Sequence, residues 1–120
     1  MKKTLIMGAS PNPSRYAYLA AERLLGHGIA IELLGRRKGE VFGHPIQTDP
    51  SEISGDIHTV TMYLSEQNQK EYEDFILSSE PVRVIFNPGA ENPDFAQRLS
   101  EKGIETVDGC TLVMLGTGQF

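Results

Sequence analysis

The sequence predicts an α/β fold: one domain over residues 1–120, built on a doubly wound parallel sheet of about five strands with helices on both faces. Two observations predict it. Short apolar runs recur at Leu5-Ile6-Met7, Ile29 to Leu34, Val60 to Leu64, Val82 to Phe86 and Thr106-Val107, each bounded by Gly, Pro or charged residues. The segments between them carry apolar residues at helical spacing, and strands that alternate with helices need crossovers, which makes the sheet parallel. With 120 residues, 39% of them hydrophobic, the chain has room for one core burying about two-thirds of its unfolded surface.

The first run ends in the turn Gly8-Ala9-Ser10-Pro11-Asn12-Pro13, and a helix follows. Its apolar stripe is Ala17, Ala20, Ala21, Leu24 and Leu25, at i, i+3, i+4, i+7 and i+8, and Gly26 or Gly28 ends it. After the second run, Gly35, Gly39, Gly43, Pro45, Pro50 and Gly55 break the alternation, so residues 35–55 read as a structured connection with at most a short strand near Ile46. After the third run, Tyr72, Phe75, Ile76 and Ser79 repeat at helical spacing among Glu and Lys. After the fourth, Asn92 and Pro93 form a cap and first-turn pair, Phe95, Ala96 and Leu99 form a buried stripe, and Gly103 stops the helix. There is no internal repeat. The arrangement is Rossmann-like, and in such sheets the ligand crevice lies beyond the carboxyl ends of the strands.

Composition excludes several classes of function. A formal net charge of -5 argues against nucleic-acid binding, because a phosphate-tracking surface needs a basic excess. The single cysteine, Cys110, can form no internal disulfide and no zinc thiolate pair, so the cytoplasm is the expected compartment. Lys2-Lys3 precede an apolar run, but Thr4 to Met7 is too short for a signal-peptide core, and no stretch approaches the roughly 20 apolar residues of a membrane span. His27, His44 and His58 show no metal-ligand spacing, so no metal is expected. Cys110 has no nearby His or oxyanion loop, and no catalytic residue is assigned.

The turn from Gly8 to Pro13 lies between a strand and a helix, where backbone N–H groups and the positive end of the helix dipole face an anion. The GxGxxG fingerprint is incomplete: Ser10 and Pro13 stand at its second and third glycine positions, and Pro13 removes a donor. Arg15 at the helix start opposes the dipole unless an anion offsets it. At the end of the second strand, where an NAD-binding domain places an acidic residue on the ribose, this chain has Gly35-Arg36-Arg37-Lys38-Gly39. Three cations there favour a phosphorylated ribose, as in NADP and coenzyme A.

These residues resemble the CoA-binding domain family, which includes stand-alone bacterial proteins and the first domain of succinyl-CoA synthetase alpha subunits. Gly8-Ala9-Ser10 followed by Asn12-Pro13-Ser14-Arg15 resembles the family's GAS-x-NP-x-R opening. Gly35 to Gly39, followed by Gly43-His44-Pro45-Ile46, resembles the synthetase's PGKGG loop and the step after it, with Lys38 at a CoA-contacting lysine. Asn87-Pro88-Gly89-Ala90-Glu91-Asn92 resembles the PGAEN turn, and Asp108-Gly109-Cys110 a D-x-C ending. Leu33-Leu34-Gly35-Arg36 departs from the PVNP segment of many stand-alone members.

The resemblance implies coenzyme A or acyl-CoA as ligand and no catalytic apparatus, since the synthetase's phosphorylated histidine lies in another domain. It implies that Gly8, Ala9, Ser10, Asn12, Pro13 and Arg15, with Gly35, Arg36, Arg37 and Lys38, hold the phosphates. Tyr63 and Leu64 would border the adenine, and Pro88 and Gly89 stand at a further strand end facing the ligand. Two other readings stay open: an NADP-binding oxidoreductase-type domain, motivated by the same cations, and a ligand-free interaction module. A homodimer or a partner acyl-CoA enzyme is compatible with all three.

Overall fold

The computed structural model describes residues 2–53 and 55–120. In chain order the elements are β1 (Thr4–Met7), α1 (Tyr16–Gly26), β2 (Ile31–Leu34), β3 (Gly39–Val41), β4 (His44–Gln47), β5 (Thr59–Met62), α2 (Glu66–Gln69), α3 (Glu73–Ser79), β6 (Arg83–Phe86), α4 (Pro93–Glu101), β7 (Glu105–Asp108) and α5 (Thr111–Gly116). Short 3-10 turns occupy Pro50–Glu52 and Lys70–Tyr72. Among the described residues no helix is long and apolar enough to cross a membrane.

One sheet runs in the order β3-β4-β2-β1-β5-β6-β7. Every neighbouring pair is parallel except β3 with β4, which form an antiparallel hairpin at one edge. The doubly wound α/β architecture is the one the sequence predicts, but the strand count is seven rather than five. Both extra strands lie within residues 35–55. Their hairpin turns at Phe42 and Gly43, with φ of 49° and 80°, a two-residue turn that twists with the strands. The usual Asn-Gly signal is missing because Phe42 takes the first place, where its ring lies 4.9 Å from that of Tyr18.

The alternation of strand side chains divides the core in two. Leu5 and Met7 of β1, Val60 and Met62 of β5, and Val84 and Phe86 of β6 face α3 and α4, where they meet Ile76, Phe95 and Leu99. Ile6, Ile31, Leu33 and Ile46 point the other way, onto Ala17, Ala21 and Leu24 of α1 and Leu115 of α5. Small alanines let α1 approach the sheet closely. On the first face Phe86 and Phe95 meet edge to face, with centroids 6.1 Å apart. Each buried Leu, Ile or Phe side chain in these layers stabilises the fold by about 1.5–3 kcal/mol.

Two polar networks fix the loops at the carboxyl ends of the strands. Buried Asn87, just past β6, donates through Nδ2 to Thr61 Oγ1 at 2.8 Å and Met62 O at 2.9 Å, while its Oδ1 accepts from the Thr111 amide at 2.9 Å. Thr61 and Thr111 share a further hydrogen bond of 2.7 Å. Asn87 thereby caps α5 from another strand. On the opposite face, Gln69 Nε2 donates to Leu64 O and Ala90 O at 2.8 and 2.7 Å, and its Oε1 accepts from Asn92 Nδ2 at 2.9 Å. Asn92 caps α4 through Phe95 N, as the Asn-Pro pair predicts, and also ties that cap to α2.

Candidate functional site

After β1 the chain builds β2, β3 and β4 on one side, then crosses to build β5, β6 and β7 on the other. The loops leaving β1 and β5 therefore diverge, which opens a crevice at their carboxyl ends. A cavity of about 540 Å³ lies there, within the range of small-molecule sites. Gly8 to Pro11 come from the loop after β1, Arg15 to Ala17 from the start of α1, and Arg36 and Arg37 from the loop after β2. Tyr63, Leu64, Ser65 and Asn68 come from the segment after β5, and Pro88 from the loop after β6.

The turn after β1 is held by its own hydrogen bonds. The Gly8 and Ala9 amides both donate to Leu34 O, at 2.9 and 3.0 Å, which clamps the turn to the end of β2. Ser10 Oγ accepts from Asn12 N at 3.1 Å, and Asn12 Oδ1 accepts from Ser14 N and Ser14 Oγ at 3.0 and 2.8 Å. The Arg15 amide donates to Asn12 O. Arg15 is extended at the helix cap, φ -88° and ψ 142°, and among the described residues no side chain caps α1. Among the described residues, no hydrogen bond takes the N–H of Ser10, Tyr16 or Ala17, and all three residues line the cavity. The turn thus presents fewer amides than its sequence suggests, but those three converge with a helix dipole.

Charge reinforces the amides. Arg15, Arg36 and Arg37 line the cavity, and no carboxylate is among the described residues that do. Arg36 reaches across the mouth: its Nη2 donates to Asn68 Oδ1 at 3.0 Å and lies 3.5 Å from Glu71 Oε1. On the far wall, burial pushes the Tyr63 hydroxyl up to about 12, with the Thr61 and Thr111 hydroxyls beside it partly offsetting that shift. Tyr63 therefore stays protonated at neutral pH. At the rim the Tyr16 ring is 69% exposed.

The residues expected from the sequence separate into two groups. Gly8, Ala9, Ser10, Arg15, Arg36, Arg37, Tyr63, Leu64 and Pro88 line the cavity together. Asn12, Pro13, Gly35, Lys38 and Gly89 do not. Asn12 shapes the turn through Ser14, Gly35 packs against Ala9, and the Gly89 amide donates to Glu91 Oε1 at 2.9 Å. Lys38 is exposed at the entry to β3. Tyr16, Ser65 and Asn68 were not singled out in the sequence. Their signal is positional: Tyr16 opens α1, and Ser65 and Asn68 are the cap and a first-turn residue of α2, the helices that follow β1 and β5. Among the described residues no three His, Cys, Asp or Glu side chains gather as a metal site requires.

A profile of the family described as CoA binding domain matches residues 2–116. No match was found among curated proteins. A crystal structure of an uncharacterized protein superposes with a TM-score of 0.96 at 56% identity, covering 100% of this chain and 98% of that one. The cell-free ID.343 protein from Thermus thermophilus gives a TM-score of 0.88 at 21% identity over 99% of this chain and 90% of its own. A dinucleotide forming acetyl-coenzyme A synthetase from Ca. Korarchaeum cryptofilum, solved with phosphate and ADP, gives 0.74 at 14% identity. That match covers 90% of this chain but 25% of the synthetase. At 21% and 14% identity the likeness is one of fold.

Proposed function

This chain belongs to the CoA-binding domain family, and from that premise we propose that its crevice binds coenzyme A or an acyl-CoA through the phosphates and the adenine nucleotide. The observation that carries this reading is the convergence of Arg15, Arg36 and Arg37 with the open amides of Ser10, Tyr16 and Ala17 on a cavity that no carboxylate of the described residues lines. The pyrophosphate lies over the turn from Gly8 to Ser10 and the start of α1, where the helix dipole and Arg15 act together. The basic turn at Arg36 and Arg37 takes the ribose phosphate, a dianion for which an arginine fork is suited. Tyr63 and Leu64 supply apolar contact for the adenine.

The module binds without chemistry on the ligand. The cations are binding groups, and Tyr63, protonated at neutral pH, offers no general base. The test is calorimetric titration of the folded protein with CoA, dephospho-CoA, NADP and NAD at moderate salt. Micromolar CoA binding that weakens without the 3′-phosphate is the expected result. No heat from CoA at millimolar concentration would sink the proposal, and selective NADP binding would replace it with a reductase-type reading.

A further inference from the structure

Arg36 is already engaged. Its Nη2 donates to Asn68 Oδ1 at 3.0 Å and approaches Glu71 Oε1 at 3.5 Å, so that one nitrogen spans the crevice mouth from the loop after β2 to the segment after β5. A guanidinium grips a phosphate with two parallel N–H bonds, through either its Nε/Nη2 edge or its Nη1/Nη2 edge. Both edges need Nη2, and Nη2 has two hydrogens. With Asn68 and Glu71 both bound, neither edge is free.

From this we propose that Glu71 is a displaceable latch on the crevice and Asn68 a positioning residue for Arg36. The inference rests on the reading of the crevice as a phosphate site. The two partners are unequal. Glu71 is long at 3.5 Å and its side chain is 60% exposed, so water solvates the carboxylate readily once Arg36 leaves it. Asn68 is closer and lines the cavity, and being neutral it orients the guanidinium without cancelling its charge. An arriving phosphate takes the hydrogen that Glu71 gives up, while Asn68 keeps the other and holds the fork against the ligand. Glu71 therefore costs the ligand affinity, and Asn68 adds to it.

Opposite signs from two partners of one nitrogen make the test sharp. Glu71→Gln is expected to tighten CoA and adenosine 3′,5′-bisphosphate, a probe that carries the ribose phosphate, by about two- to fivefold, and Asn68→Ala to weaken both by a similar factor. The mere removal of a nearby negative charge would also tighten binding, so the cycle is completed in an Arg36→Ala background, where the gain from Glu71→Gln should shrink towards unity. Glu71→Gln that leaves affinity unchanged, Asn68→Ala that tightens it, or a Glu71→Gln gain that persists without Arg36 each overturns the latch while CoA binding by the unmodified protein stands. Adenosine 3′,5′-bisphosphate binding without CoA binding overturns the ligand reading, and the latch is then decided by the bisphosphate cycle. Binding of neither overturns both. Thermal unfolding of each variant confirms that it is folded.

Discussion

Gly35 stands so close to Ala9 that a β-carbon on Gly35 would lie 2.5 Å from the Ala9 carbonyl oxygen. That separation is well inside van der Waals contact, and the opposing atom is backbone. The same hypothetical carbon would sit 3.0 Å from Ile46 Cγ2. Two strand ends, β1 and β2, are thus pressed together where the crevice begins, and the Gly8 and Ala9 amides complete the seam by donating to Leu34 O. Gly35 is required here for space, since its φ is not in the left-handed region.

Gly35→Ala should therefore move the turn that carries Ser10. The expected cost is about 1–3 kcal/mol of stability, as for other overpacked sites, with a loss of CoA affinity because the open amides shift. Urea denaturation and CoA titration measure the two effects. An unchanged midpoint would mean that the seam yields without strain and does not fix the turn.

The basic triplet should divide by position. Arg37 lines the cavity and Lys38 does not, although the sequence resemblance gives Lys38 the contact. Arg37→Glu is expected to weaken CoA by about tenfold or more, and to weaken dephospho-CoA less, because the lost contact is to the ribose phosphate. Lys38→Glu should change either affinity by less than about threefold at moderate salt, where a more distant exposed charge is screened. Equal losses from the two reversals would place the phosphate nearer to β3 than the cavity lies.

How much of this was legible depends on whether the signal was local. The α1 stripe and the Asn92-Pro93 cap are local, and the structure places both where the sequence does. Strand β4 falls where the sequence allows a short strand near Ile46, but its hairpin partner β3 was not legible, because Phe42 replaces the residue that usually marks such a turn. Helix α5 was missed for a different reason: its cap is Asn87, twenty-four positions away in sequence, so nothing beside Thr111 announces a helix start. For the site, each strand end could be named from the chain, but which amides remain unbonded is set by Leu34 and Asn12 in three dimensions.

Asn87 should be among the most sensitive polar positions. Replacing it with alanine leaves the buried Thr111 amide without its partner, takes one donor from Thr61 Oγ1, and removes the only side-chain cap that α5 has among the described residues, while the backbone amide of residue 87 still serves the Met62 carbonyl. The expected loss is about 1–3 kcal/mol, the cost of a buried amide left unsatisfied where the cap was. Chemical denaturation measures it, and hydrogen exchange should show early opening of α5. A loss under about 0.5 kcal/mol would mean that water replaces Asn87 fully.

A pH effect is expected at the other end of the sheet, where His58 enters β5. Burial first, then the charges of Arg83 and Lys2, hold its pKa below the ordinary 6.5, and Glu105 opposes this weakly. Its Nδ1 shares a 2.8 Å hydrogen bond with Thr59 Oγ1, and its carbonyl accepts from the Val82 and Arg83 amides where the β5–β6 pairing begins. The unfolded chain takes up the proton near 6.5, while the folded chain takes it up only at lower pH. The contribution of His58 to stability is therefore complete above that value and is lost as the pH falls from it towards the depressed folded value. This window lies above the ordinary carboxylate range near 4. Denaturation midpoints measured between about pH 7.5 and 5.5 should fall for the unmodified protein and fall less for His58→Gln. Equal slopes for the two proteins would show that protonated His58 is accommodated beside Arg83 without cost.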